Sequence, residues 1–396
     1  MVKPKTNIKS PLLFLISLLV LIGLIFISIS SLSEASTTMG DKFFFLKKQL
    51  MWATIGLFFF YFFSKINIDL LKKYTFFLYC ASIAGLLLVL IPHIGNQALG
   101  ARRWLDVGFI GIQPSEILKL VAVLFFSYFF LKSDKKNIKN LIIYSGIPFI
   151  LIIIQPNLST AILVAAIIIS IYYLSGGEVV SLLAFCLSAI ILCLILIMFS
   201  GYRSARLKTL LNPSNNISST SYHSNQIVLA LSSGGLFGKG FANSDQKYRF
   251  LPKISTDSIL AVIGEETGFI GLSLILYIYI YLISYLFKLS KLIADPFESL
   301  VVSGIASWIA YQSLINMAAI AAIIPLTGVP LPFISYGGSS LVTLLSAVGL
   351  VHNIEKKSLL LYSNSDKKTN SHQNNTNRHQ SSHSSNRTDK TASKRS

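Results

Sequence analysis

The chain has 396 residues, of which 53% are hydrophobic and only 13% are charged, and its formal net charge is +18. A soluble globular surface does not tolerate this balance, so the composition excludes a soluble enzyme and indicates that a bilayer solvates most of the chain. The basic residues are divided among many connections instead of forming one stripe, which argues against nucleic acid as a partner.

Apolar runs recur along the chain, and each is long enough to cross about 30 Å of hydrocarbon as a helix. The first run, Leu12 to Ser31, follows three lysines and could pass for a secretory signal, but its apolar stretch exceeds the usual signal core. The sequence therefore predicts an all-α polytopic membrane protein with about ten transmembrane helices. The predicted helices begin near Pro11, Gln49, Thr75, Ile117, Leu141, Leu158, Val179, Ser258, Ser299 and Gly337.

The basic residues set the predicted orientation through the positive-inside rule. With a cytoplasmic N-terminus, many lysines fall in cytoplasmic connections, and an even number of spans leaves both termini cytoplasmic. A second basic group falls on the outer side, where the rule does not explain it. Such a cluster indicates an anionic ligand, for example phosphate or a lipid headgroup, or else a solvated loop in contact with acidic lipid. The outer group consists of Lys42, Lys47, Lys48, Arg102, Arg103, Arg203, Arg206, Lys208, Lys239, Lys247, Arg249 and Lys253.

Composition divides the chain into three parts. Residues 1–10 are predicted to be a cytoplasmic N-terminus, and 11–356 the ten-helix membrane domain. Within that domain, 201–257 is predicted to be a large extracytoplasmic loop between the seventh and eighth helices; connections of this length are usually functional or disordered. Residues 357–396 form a basic tail rich in Ser, Asn, Thr and His, which we expect to be disordered and cytoplasmic.

The first polar segment of interest runs from Gly100 to Asp106 and is followed by Gln113 to Lys119. Glu116 and Lys119 stand at i and i+3 on one helical face, and near the end of a membrane helix they are expected to form an internal pair. That pair is either structural or in contact with substrate.

Arg102 and Arg103 lie beside Trp104 in the same segment. Trp and Arg both favour the headgroup zone, so these residues could be interfacial anchors. Alternatively, their guanidinium groups form a fork for phosphate oxygens.

Two further outer segments interrupt the apolar runs. Gln155 to Thr160 contains Pro156 and is typical of a tight turn or a broken helix that lines a cavity. The long connection contains the glycine cluster Ser232 to Gly240, which permits close backbone approach to a ligand or a neighbouring segment. It is not a P-loop, because Lys239 is followed by Gly240 and no strand precedes it.

Asp257 opens the apolar run that follows the long connection, with Glu265 and Glu266 about two turns further along. At the outer edge of the membrane Asp257 could act as a general base, or it could be a helix N-cap after Thr256. Glu266 is expected to lie deeper in the membrane, where its carboxylate must face polar groups of the protein.

The last polar segment, Pro325 to Ser340, contains three prolines and three glycines between membrane runs. Irregular backbone at membrane depth is tolerated only where it is buried in protein or lines a cavity. We therefore expect this segment to shape the functional site.

These segments, in this order, resemble the SEDS family (shape, elongation, division and sporulation) of FtsW, RodA and SpoVE, over roughly residues 11 to 356. The strongest matches are Gly100 to Trp104 with Gln113 to Lys119, Gly234 to Gly271, and Gly328 to Ser340. The sequence around Asn243, Gln246 and Leu251 looks more like FtsW, the division member, than like RodA.

The chain departs from the family pattern at several positions. The family's essential carboxylate falls on Asp257, usually after an acidic residue and His-Thr and before an aromatic residue. Here Lys253, Ser255 and Ser258 stand where the acid, the histidine and the aromatic residue are expected. Asn157 stands where the family often has Asp, and an amide cannot serve that turn as an acid or base. Thr267 stands where Leu is usual.

The resemblance implies an inverting peptidoglycan glycosyltransferase that polymerises lipid II at the outer face of the bacterial cytoplasmic membrane, with septal synthesis in cell division as its expected role. It implies that Asp257 is the catalytic base and that Glu116 and Lys119 shape the cavity. Glu266 and Ser339 are secondary candidates, and a divalent cation, Mg²⁺ or Mn²⁺, with Asp257 as a ligand is left open. The cations expected to bind the lipid diphosphate are Arg102, Arg103, Lys239 and Lys247.

The implied partners are lipid II, the nascent glycan lipid, a class B penicillin-binding transpeptidase and other divisome proteins. Three alternatives remain at this point: a flippase that moves lipid II without chemistry, an elongation polymerase of the RodA type, and a scaffold that only recruits a partner.

Overall fold

The computed structural model describes residues 10–30, 40–98, 101–108, 110–132, 138–180, 182–183, 187, 219–244 and 256–360. It is predominantly helical, as the sequence predicts. The first elements are α1 (Leu12–Ser30), α2 (Phe44–Phe63), α3 (Ile68–Leu90), β1 (Gly95–Ala98), β2 (Ala101–Val107) and β3 (Ile110–Ile112). The later ones are α4 (Pro114–Lys132), α5 (Ile138–Ile154), α6 (Leu158–Leu174), α7 (Ser219–Gly234), α8 (Ile259–Leu292), α9 (Pro296–Ile320) and α10 (338–360).

Five of these helices, α1, α3, α4, α8 and α9, are long and apolar enough to cross a membrane. Helices α4 and α9 are the most enclosed, since 78% and 72% of the residues in their apolar windows are buried, against 28% to 39% in the other three. Helix α4 packs against α3, α6 and α9, and α9 also packs against α8. Helices α4 and α9 therefore form the centre of the bundle, and the others expose apolar faces suited to lipid.

A small antiparallel sheet follows α3, so the chain is mostly but not purely helical. Its strand order is β1-β2-β3, and Asn96 Nδ2 donates a hydrogen bond to Asp106 Oδ2 across β1 and β2 (2.6 Å). These strands have three to seven residues, too few for a search based on membrane-length apolar runs to detect. We call the end of the bundle that carries this sheet the sheet end.

Helix α8 is bent near its start. Gly268 has a φ of 68° and a ψ of −166°, which no right-handed helix contains, so residues before and after it are two helical pieces. A straight helix of 34 residues would be longer than the hydrocarbon layer requires, and the bend at Gly268 separates its first turns from the long piece that follows.

Candidate functional site

Asp257 lies in the turn that precedes α8, at the sheet end of the bundle. A Cβ atom placed on Gly328 would lie 3.8 Å from Asp257 Oδ2, so the carboxylate faces the start of the proline- and glycine-rich segment. Asn316 Nδ2 of α9 lies 3.5 Å from the main-chain oxygen of Asp257. The structure thus brings together the two segments, 256–258 and 325–340, that the sequence singles out.

Polar side chains of α9 hold the proline- and glycine-rich segment through its main chain. Gln312 Nε2 donates to Pro330 O and Asn316 Nδ2 to Val329 O, both at 2.9 Å. Backbone at membrane depth needs such internal partners, because hydrocarbon supplies none. Sequence reasoning missed Gln312 and Asn316, although two amide side chains one turn apart in an apolar helix were a usable signal.

The predicted pair between Glu116 and Lys119 is confirmed, with 2.7 Å between Lys119 Nζ and Glu116 Oε2. Lys119 is only 1% exposed, and its ammonium also donates to Gln312 Oε1 at 2.9 Å. Gln312 Oε1 accepts a second hydrogen bond from Trp308 Nε1 (2.7 Å). The pair therefore connects α4 to the segment that faces Asp257.

The glycine-rich cluster packs main chain to main chain against the first half of α8. Lys239 N donates to Glu265 O, and Phe269 N donates to Gly235 O, both at 2.9 Å. At Gly238, where φ is 80°, a Cβ atom would lie 2.2 Å from Glu266 O; at Gly268 it would lie 2.4 Å from Gly238 N. The close approach that the sequence predicts is thus made to α8.

We expect Gly238→Ala to destabilise the protein, because the new methyl group meets main chain that has no rotamer to move and φ is positive. The matched control is Gly146→Ala, since nothing lies within 4 Å of a Cβ at that position in α5. In thermal unfolding of the detergent-solubilised protein, Gly238→Ala should lose about 2 kcal/mol or more, and Gly146→Ala should be neutral or slightly stabilising. Equal melting temperatures for the two variants would contradict the packing.

Lys239 forms an ion pair with Glu265, with 2.8 Å between Lys239 Nζ and Glu265 Oε1. Glu265 is completely buried, and its carboxylate also accepts hydrogen bonds from Ser233 and Ser244. A buried carboxylate is costly unless it is paired in this way. Glu265, which sequence reasoning left without a role, thus holds the glycine-rich cluster and engages Lys239, one of the predicted phosphate-binding cations.

The two arginines of β2 differ in their surroundings. Arg103 donates from Nε to Gln155 O (3.1 Å) and from a terminal nitrogen to Pro156 O. Gln155 Nε2 in turn donates to Leu86 O of α3 (2.9 Å), so Arg103 fastens the 155–157 turn to the sheet and α3. Arg102 has no side-chain hydrogen bond or ion pair to the part of the chain that the structure describes.

The remaining predicted residues fall in three different places. Ser339, at the start of α10, accepts from Gln113 N (3.1 Å) and donates to Gly111 O (3.3 Å), so it joins α10 to the end of the sheet. Glu266 is buried, 1% exposed, where α8 meets the glycine-rich cluster. Lys247 lies outside the described residues, as do Lys253 to Ser255, the rest of 201–218 and 245–255 in the long connection, and the tail from 361.

Within the described ranges, no group of three or more His, Cys, Asp and Glu side chains is placed to hold a metal ion. Mg²⁺ usually binds proteins through one or two carboxylates and completes its shell with water and substrate phosphates. Asp257 could supply one such carboxylate, and a diphosphate substrate would have to supply most of the rest.

Fold and site together define a multi-span helical membrane protein with a carboxylate site at one end of its bundle, built from connections and supported by a polar network between α4 and α9. The model of the cell cycle protein family FtsW/RodA/SpoVE matches residues 10–359, and the chain belongs to this family.

Relatives of known name cover most of the chain. Stage V sporulation protein E of Bacillus subtilis (strain 168) is 34% identical over 367 residues, which are 90% of this chain and 100% of that protein. The probable peptidoglycan glycosyltransferase FtsW of Buchnera aphidicola subsp. Baizongia pistaciae is 33% identical, over 89% of this chain and 96% of its own length. The corresponding protein of Wigglesworthia glossinidia brevipalpis is 34% identical, over 86% and 91%.

Solved structures share the fold. A chain from a peptidoglycan synthase complex that coordinates polymerization and crosslinking superposes with a TM-score of 0.72 at 23% identity, covering 88% of this chain and 97% of that one. The rod shape determining protein RodA of Thermus thermophilus gives a TM-score of 0.66 at 23% identity, covering 90% and 99%. The predicted polytopic helical fold is thereby confirmed.

Proposed function

We propose that this chain is a peptidoglycan glycosyltransferase that polymerises lipid II into glycan strands at the outer face of the bacterial cytoplasmic membrane, with Asp257 as its base. The observation that carries the proposal is the placement of the Asp257 carboxylate against Gly328, at the sheet end of the bundle. The relatives named as peptidoglycan glycosyltransferases support the same reaction.

The reaction joins two disaccharides that are each linked to undecaprenyl diphosphate. An acceptor hydroxyl attacks the anomeric carbon of the growing chain and gives its proton to Asp257, while the bond to the lipid diphosphate breaks and the anomeric configuration inverts. A base positioned in this way contributes about 10²- to 10⁴-fold to the rate. Cations near the departing diphosphate stabilise the negative charge that develops on it.

The contacts of the candidate cations support a division of roles among them. Arg103 and Lys239 already hold main-chain oxygens and Glu265, respectively, so each has a structural role beside any ligand. Among these cations, Arg102 is the one whose guanidinium forms no hydrogen bond or ion pair to the described residues. We assign Arg102 to the diphosphate and keep Lys247 as a candidate from the sequence.

Alanine substitutions can distinguish the roles of Arg102 and Arg103. Arg103→Ala removes two hydrogen bonds from a charged donor, so we expect it to lower the free energy of unfolding by about 1.5–3 kcal/mol. Arg102→Ala should leave the melting temperature unchanged and raise the KM for lipid II several-fold. Thermal unfolding and initial rates of polymer formation measure the two effects, and the opposite assignment of effects would refute this division of roles.

A divalent cation at the site is open to a simple test. If the reaction needs Mg²⁺ or Mn²⁺, which Asp257 and the substrate diphosphate would hold, chelation should abolish polymer formation and added metal should restore it. Such an ion would supply positive charge to the leaving group, while Asp257 and Arg102 would still position the substrate.

The relatives support a proposal for the assembly and the place of action. One similar fold is part of a complex that couples polymerization to crosslinking. We propose a class B penicillin-binding transpeptidase as the partner of this chain, within the divisome, and action at the division septum, with which the FtsW names of the relatives are consistent.

The decisive experiment uses purified full-length protein, with and without its transpeptidase partner, in liposomes that contain labelled lipid II. Polymerised glycan in the product, separated by electrophoresis, is the expected result. Translocation of lipid II without polymer would replace the proposal by a flippase, and neither activity would leave only a recruiting role.

A further inference from the structure

Ser258, which directly follows Asp257, directs its hydroxyl to a neighbouring helix instead of capping its own. It occupies the N-cap position of α8, where a serine hydroxyl ordinarily accepts a hydrogen bond from a main-chain N–H of the first turn. No side-chain cap bond forms here, although Ser258 O accepts from Ala261 N as the helix begins. The hydroxyl, which is completely buried, instead lies 2.8 Å from Nε2 of His223 in α7.

Helix α7 is well placed to hold this turn. Its last residue, Gly234, packs so closely on α8 that a Cβ atom there would lie 2.2 Å from Gly264 O. Lys239, just beyond α7, pairs with Glu265 of α8. The His223 imidazole therefore approaches Ser258 from a helix that is fixed to α8 at its other end, so the contact has little freedom to shift.

Helix α9 also contacts this turn, since Asn316 Nδ2 lies 3.5 Å from the main-chain oxygen of Asp257. His223 and Asn316 thus fasten two consecutive residues, Ser258 and Asp257, from two different helices. These two contacts restrict the main chain at residues 257 and 258, and with it the orientation of the Asp257 carboxylate.

We propose that His223 is a positioning residue for the reaction: through Ser258 it sets the orientation in which Asp257 receives the proton of the acceptor hydroxyl. The inference rests on the proposed function, since it assigns Asp257 as the base. A displacement of about 1 Å at a reacting group can cost about 10²-fold in rate, so a residue that never touches substrate can still control kcat.

The test compares His223→Ala, His223→Gln, Ser258→Ala and the double alanine variant in the lipid II polymerisation assay. We expect His223→Ala to lower kcat about 10- to 100-fold with the KM for lipid II unchanged. Gln can place an amide near the position of Nε2, so His223→Gln should recover most of the lost rate. The double variant should be no slower than the slower single variant, because both remove the same contact.

Ser232→Ala is the control on the same helix, since this exposed hydroxyl bonds only to Leu229 O of its own turn among the described residues, and its kcat should match the unchanged protein. Three results would overturn the inference: full kcat in His223→Ala, no recovery of rate in His223→Gln, or a loss confined to KM. In each of these cases the proposed function still stands, provided that the unchanged protein forms polymer. Absence of polymer from the unchanged protein with its partner overturns both. Should His223→Ala fail to fold, Ser258→Ala and His223→Gln decide the outcome by the same criteria.

Discussion

Asp257→Asn should yield a folded protein that forms no glycan polymer. The amide has nearly the shape of the carboxylate but cannot take a proton from the acceptor hydroxyl, so we expect a loss of about 10²- to 10⁴-fold in rate. The contact from Asn316 is to the main chain at residue 257 and survives the substitution. Lipid II polymerisation measures the loss, and thermal unfolding checks that the fold persists.

The matched control for this substitution is Asp106→Asn, a second carboxylate at the sheet end, which accepts a hydrogen bond from Asn96 within the sheet. It should retain near-normal polymerisation. Normal glycan product from purified Asp257→Asn would remove Asp257 from the chemistry. A similar loss in both variants would point to a general effect of charge at this end of the bundle.

Lys119→Met should destabilise the protein more than Gly238→Ala or Arg103→Ala does. It leaves Glu116 buried without its counter-ion and takes from Gln312 Oε1 one of its two hydrogen bonds. Breaking a buried ion pair by removing one partner costs about 3–5 kcal/mol. Thermal unfolding of the detergent-solubilised protein should show a large fall in melting temperature, and polymerisation should fall with it because the segment facing Asp257 loses its support.

Adding Glu116→Gln to Lys119→Met should recover part of that loss, since the uncompensated charge disappears. The comparison pair is Lys47 and Asp41, which lie 2.8 Å apart but are 69% and 41% exposed. Lys47→Met should therefore change the free energy of unfolding by less than about 1 kcal/mol. Equal effects of the two methionine substitutions would mean that burial does not strengthen the inner pair.

The sequence predicts those features that depend on composition and on local spacing. Membrane-length apolar runs predict the helical bundle, and the three-residue spacing of Glu116 and Lys119 predicts their ion pair, because both signals are contained in one segment. Asp257 and the segment from Pro325 are singled out because charge and irregular backbone are expensive in a bilayer. Their proximity in space is then a finding of the structure.

The sequence could not predict contacts that depend on which helices are neighbours. Gln312 bridges Lys119 and Pro330, residues distant from it along the chain, and no spacing rule connects them. The same holds for His223 with Ser258 and for Lys239 with Glu265. A basic residue in a loop predicts anion binding from the sequence even where its side chain is already bonded to another part of the protein. The sequence therefore could not distinguish Arg102 from Arg103.

The residues that follow Gly328 separate the Asp257 carboxylate from the interior of the bundle. Gly328 faces Asp257, and directly after it Val329, Leu331, Phe333 and Ile334 are at most 2% exposed. The main-chain oxygens of Val329, Pro330 and Pro332 accept hydrogen bonds from Asn316, Gln312 and Tyr279, so the segment is a buried, largely apolar layer beside the carboxylate. With Asp257 as the proposed base, the proton that it takes up in each cycle would then leave to the solution at the sheet end instead of crossing the bilayer.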